Sequence, residues 1–100
     1  MRIVLEVIKG PYTGKRFEFD RHSTFIVGRD KKVQLRIAQD PYFSRHHFMI
    51  EANPPECLLR DLGSTNGTFR NGTRIERETP LQDGDRIGIG TSVFAFHQPG

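Results

Sequence analysis

Three short stretches of this 100-residue sequence gather side chains suited to holding an anion. The first is Val27-Gly28-Arg29-Asp30, where an apolar run ends in Gly and at once presents an arginine. The second runs from Asp40 through Pro41, Tyr42 and Phe43 to Ser44-Arg45-His46-His47. The third, Asp61-Leu62-Gly63-Ser64-Thr65-Asn66-Gly67-Thr68-Phe69, is dense in hydroxyls and carries one amide. A guanidinium offers a planar fork of donors matched to carboxylate or phosphate, and hydroxyls add neutral donors between the charged ones. If the three stretches meet at one end of a scaffold, they form a site for a dianion attached to an extended chain.

Other chemistries fit these residues poorly. A Ser44/His47/Asp61 triad can be written down, but there is no Gly-x-Ser-x-Gly elbow, and an i, i+3 Ser–His pair at a strand start is badly placed for proton transfer. The expectation is that the chain is not an enzyme. His46 and His47 are adjacent, so on a strand they point to opposite faces and do not share an ion; no metal and no cofactor is expected. Gly84 to Gly90 contains a Gly-x-Gly with no third glycine in place and no helix to follow, which is no nucleotide loop. His47 reads instead as a buried brace for the Ser44 loop, and Cys57, in an apolar run, as an inert small hydrophobe.

The elements that must position these residues read as strands. Apolar residues nowhere recur at helical spacing for three uninterrupted turns, and short apolar runs alternate with turn chemistry every 8–12 residues or so, the pattern of a sandwich or barrel. The runs are Arg2–Lys9, the Phe17 and Phe19 pair, the Phe25 and Val27 pair, Val33 to Ile37, His47–Ala52, Glu56–Leu62, Arg86–Ile89 and Ser92–His97. Val33, Leu35 and Ile37 alternate with Gln34 and Arg36, as one buried face requires. Asn53-Pro54-Pro55 must fall between strands, because proline cannot donate to a ladder. Asn66-Gly67, Asn71-Gly72 and Asp83-Gly84 are hairpin signals, since both residues of such pairs tolerate positive φ. The phenylalanines other than Phe43 read most simply as core, and Phe43 as core or ligand contact.

Composition sets the outer bounds. Hydrophobic residues make up 35% and aromatics 10%, enough for one core and too much for a disordered chain. Residues 1–100 read as a single domain with a core of about residues 2–97, and a piece of a larger multidomain protein would read the same way. The lone Cys57 excludes an internal disulfide. No apolar run approaches the ~18 residues of a membrane span, and no secretory leader is evident, so the expected setting is cytoplasmic, away from membranes. Fifteen Lys+Arg against twelve Asp+Glu give a net charge of only +3, without a basic run or a nucleic-acid-reading motif. Nucleic acid is not expected as a partner. Monomer is the default.

Gly28-Arg29, then Ser44-Arg45-His46-His47, then Gly63-Ser64-Thr65-Asn66-Gly67-Thr68-Phe69 followed by Asn71-Gly72, resembles the forkhead-associated (FHA) domain in order and spacing. The likeness runs from the first strand to Phe96. It implies an all-β fold, an antiparallel β-sandwich of about eleven strands of the SMAD/FHA-like type, that binds phosphothreonine peptides through loops at one end. Carried over by position, Arg29, Ser44, Arg45 and Thr65 would face the phosphate, and Asn66 would hold the peptide backbone. Gly28, His47 and Gly67 match positions that shape or brace those loops. The partner implied is a phosphothreonine-containing protein, a Ser/Thr kinase or its substrate, docked in signal transduction. The alternative is an adaptor of the same fold that recognises an unphosphorylated protein surface.

Overall fold

Burial alternates along Phe48–Asn53, Glu56–Asp61 and Arg86–Ile89, while residues 3–5 and 94–96 are buried in unbroken threes. The computed structural model describes residues 2–19, 22–53 and 55–98, and in these the chain forms eleven strands in two sheets. They are β1 (Ile3–Lys9), β2 (Arg16–Phe19), β3 (Ser23–Gly28), β4 (Leu35–Arg36), β5 (Phe48–Asn53), β6 (Glu56–Asp61), β7 (Phe69–Arg70), β8 (Thr73–Arg74), β9 (Thr79–Pro80), β10 (Arg86–Ile89) and β11 (Ser92–His97). One sheet has the order β2-β1-β11-β10-β7-β8, the other β4-β3-β5-β6-β9. No helix forms among the described residues.

The core fills the space between the sheets. Ile3, Leu5 and Val7 of β1 face inward together with Ile87, Ile89, Phe94 and Phe96, and meet Phe25, Val27, Phe48, Ile50 and Leu59 from the opposite sheet. Register enforces the match: Leu5 lies across from Phe96, Val7 from Phe94, Val27 from Phe48 and Ile50 from Leu59. A one-residue slip would turn every such side chain to water. Phe43 is buried against Phe94, with ring centroids 6.1 Å apart, which makes it a core residue. Phe17 and Phe19 pack on the margin through Phe25, and Phe69 is only half-buried.

The structure refines the expected elements at particular places. The alternating stretch from Val33 to Ile37 contributes only Leu35–Arg36 as a strand, pairing β3 in parallel while the other pairings described are antiparallel. Leu35 and Ile37 are nevertheless buried, so the period reported burial correctly but not the length of the ladder. Of the three hairpin signals, Asn71-Gly72 joins two paired strands, with φ of 50° and 84°. Asn66-Gly67 and Asp83-Gly84 instead lie in connections between sheets. Asn53 and Glu56 face each other across the β5–β6 turn, and Pro54 lies outside the described residues.

Candidate functional site

β3 ends at Gly28, and the Ser44–Arg45 segment lies directly against that end. A Cβ on Gly28 would stand 2.1 Å from the Arg45 carbonyl oxygen, so only glycine permits the approach. The amides of Arg29 and Asp30 donate to the Ser44 and Arg45 carbonyls at 3.1 and 3.0 Å, and the His47 amide to the Val27 carbonyl at 2.9 Å. The first two stretches are thereby zipped together by backbone alone. The third joins them through side chains: the Thr65 amide donates to Ser44 Oγ at 3.1 Å, Asn66 Nδ2 to the Tyr42 carbonyl at 2.9 Å, and His47 Nε2 to the Gly67 carbonyl at 2.8 Å. Arg29, Ser44, Arg45, Thr65 and Asn66 therefore share one rim at one end of the sandwich.

His47 holds this junction from beneath. It is fully buried, and Nδ1 accepts the Ser44 amide at 3.0 Å. That leaves the ring proton on Nε2, where the Gly67 carbonyl accepts it. Burial pushes the imidazole pKa down from its ordinary 6.5, partly opposed by the bond to Gly67, and the ring stays neutral. His46, its neighbour, is exposed. Because Nδ1 is taken by a backbone amide and not by Ser44 Oγ, the Ser44/His47/Asp61 set lacks the hydrogen-bond relay of a triad.

Asp61 shapes the third stretch. Its carboxylate accepts the amides of Gly63 and Ser64, both at 3.0 Å, and the hydroxyls of Ser64 at 2.5 Å and Thr68 at 2.7 Å. Burial raises its pKa, but the bonds from Ser64 and Thr68 outweigh that, and the carboxyl is held below its ordinary value. The Ser64 and Thr68 hydroxyls are thus committed inward. Thr65 and Asn66, on the turn between them, are exposed. Ser44 Oγ accepts from Thr65, so its own O–H is left to donate outward.

The two arginines are not equivalent. Arg45 reaches Asp30 with Nη2–Oδ2 3.3 Å, its side chain 82% exposed and that of Asp30 only 14%. The Asp30 carboxyl is held below its usual range, chiefly by the Lys32 amide, with Arg45 assisting. The Arg29 side chain makes no hydrogen bond or ion pair among the described residues and projects into solvent. Arg36 Nε donates to the Arg29 carbonyl at 3.1 Å, bringing a further guanidinium beside the rim.

Sequence reasoning singled out the rim and missed part of its support. Asp40, wholly buried, accepts the Tyr42 amide at 2.9 Å and the Ser92 hydroxyl at 2.5 Å, pinning the second stretch to β11. Asp61, which sequence reasoning considered only in a triad set aside as badly placed, organises the third loop. Both accept an amide two residues onward, the spacing of an Asx turn, which is a signal visible in sequence. The Asp30–Arg45 pair left no comparable trace.

Residues 25–90, well over half of the chain, match the family model of the FHA domain. The chain belongs to the FHA domain family. FHA domains are binding modules. An FHA domain-containing protein of Arabidopsis thaliana is 35% identical over 94 residues, covering 90% of this chain but 24% of that protein. The chain thus spans about a quarter of that relative's length. A structure described as bearing on phosphothreonine-dependent FHA domain interactions superposes with a TM-score of 0.88 at 31% identity, covering 100% of this chain and 99% of its own. The FhaA FHA domain, solved in complex with the intracellular domain of Rv3910, gives 0.83 at 33% identity over 95% of this FHA chain and 99% of its own.

Proposed function

We propose that this FHA domain binds phosphothreonine in partner proteins and docks clients of Ser/Thr kinases, acting by binding and not by catalysis. The observation that carries the reading is the Thr65 amide bound to Ser44 Oγ, 3.1 Å apart, beside an unpaired Arg29. That contact aims a hydroxyl proton outward at the same rim as two guanidinium groups. A phosphothreonine brings about −1.5 to −2 charges and three acceptor oxygens at pH 7. Arg29 supplies the charge-assisted pair, about 1.5–3 kcal/mol per bond, with Ser44, Thr65 and Arg45 as the remaining donors. Asn66 spends one amide proton on Tyr42; its carbonyl oxygen and second proton are free to take the backbone of the bound peptide. Gly28, His47 and Gly67 hold these groups in place, so little ordering accompanies binding.

The affinity expected for one phosphate and a few backbone bonds is micromolar, about −7 to −9 kcal/mol. Kinases work on intracellular ATP, so this reading implies a cytoplasmic module. We take residues 1–100 as one binding domain and as a monomer. Titration calorimetry with a phosphothreonine peptide and its unphosphorylated twin tests the proposal. Binding of the first alone, abolished in Arg29→Ala without a fall in melting temperature, is the expected result. Equal binding of both peptides would instead favour the adaptor that reads an unmodified surface.

A further inference from the structure

A single phosphate does not use all the positive charge assembled at this rim. A pocket of about 570 Å³ opens beside it, walled by Arg29, Lys31, Lys32, Arg36 and Arg45, with Asp30 the one carboxylate among them. Asp30 is already occupied by the Lys32 amide and Arg45 Nη2, so it neutralises little of the remainder. Arg36 arrives from β4, which lies parallel to β3 with Arg36 across from Gly28, and its Nε is fixed on the Arg29 carbonyl. The short edge strand therefore delivers a guanidinium to the rim. Like charges crowded in this way repel one another until an anion enters.

We propose that this pocket is a second anion subsite, which takes a phosphorylated or acidic residue of the same peptide within three positions of the phosphothreonine. The inference rests on the phosphothreonine reading and extends it to what the partner must look like. Arg29 and Arg45 belong to both the pocket and the rim, so the two anions lie close together. An extended peptide advances about 3.3 Å per residue, which puts a group two or three residues away roughly 7–10 Å from the first phosphate. Lys31 and Lys32 are exposed, and neither carries a role at the rim itself.

The test is calorimetry on peptides with one phosphothreonine and, at each position from −4 to +4 in turn, a phosphoserine, a glutamate or a serine. The expected gain over serine is about tenfold for the second phosphate and about threefold for glutamate, at one or two positions on one side, shrinking at high salt. In a Lys31→Ala/Lys32→Ala variant with unchanged melting temperature, the gain should fall several-fold while the singly phosphorylated peptide binds as before. No gain at any position, or a gain undiminished in that variant, overturns the subsite and leaves the phosphothreonine reading standing. A singly phosphorylated peptide that fails to bind overturns that reading, and the subsite with it. If a labelled DNA duplex binds and is lost in the variant while the second phosphate confers nothing, the pocket is a nucleic-acid contact and the proposal is wrong.

Discussion

Ser44 performs two tasks through different atoms. Its amide is held by the His47 ring and its Oγ by the Thr65 amide. Ser44→Ala removes both the proposed phosphate donor and the acceptor for Thr65, whereas Ser44→Thr keeps the oxygen. The alanine variant should weaken phosphopeptide binding at least tenfold, and the threonine variant should retain most of it, as calorimetry would show. Asp30 is the opposite case, an acid paired with Arg45 that, on the proposed reading, would compete with phosphate for it. Asp30→Asn keeps an acceptor for the Lys32 amide and releases the guanidinium, so affinity should rise about two- to fivefold at low salt, with the difference vanishing at high salt. A loss of affinity would mean that Asp30 positions Arg45 more than it occupies it. Arg29, Ser44, Thr65 and Asn66 could be singled out in sequence because the order and spacing of their three blocks resemble the FHA pattern, and the structure brings those blocks to one rim. The Asp30–Arg45 pair was not, because partners fifteen residues apart are matched only by folding.

At the scale of elements, the rim depends on strand ends that pass within contact of each other. Gly28→Ala drives a methyl group into the Arg45 carbonyl. It should cost about 1–3 kcal/mol of stability, read as a lower urea midpoint, and should remove phosphopeptide binding even where the fold survives. Asp61→Ala frees four donors at once in the loop after β6. Their loosening should lower stability by about 1–3 kcal/mol and weaken binding through Thr65 and Asn66, which themselves lose no contact to the mutated side chain. Strands of six or seven residues, such as β1, β5 and β11, were readable as apolar runs between turn signals. Two-residue strands such as β4, β7, β8 and β9 carry too little pattern to be distinguished from loops. A dipeptide such as Asn66-Gly67 reports a permitted backbone angle, not which strands it connects.

For the molecule as a whole, pH couples stability to the site through His47. Its folded pKa lies below the ordinary 6.5, so the unfolded chain binds the proton first as pH falls. The contribution is complete above about pH 6.5 and is lost progressively below it. The urea midpoint should therefore drop between pH 7.5 and pH 5, before carboxylates such as Asp61 and Asp85, both held low, begin to add their own loss nearer pH 4. A flat midpoint across that range would show that the ring tolerates charge. Phosphopeptide affinity should fall over the same interval for a separate reason, since the second phosphate pKa is about 6. The architecture has one more effect. Val4 lies across from His97, while the β10–β11 turn, where Gly90 touches Tyr42, sits at the rim end. Polypeptide spliced on before Ile3 or after His97 would depart from the far pole, both leads roughly 5 Å apart, so this cassette can be inserted into a larger chain while its reading head stays uncovered.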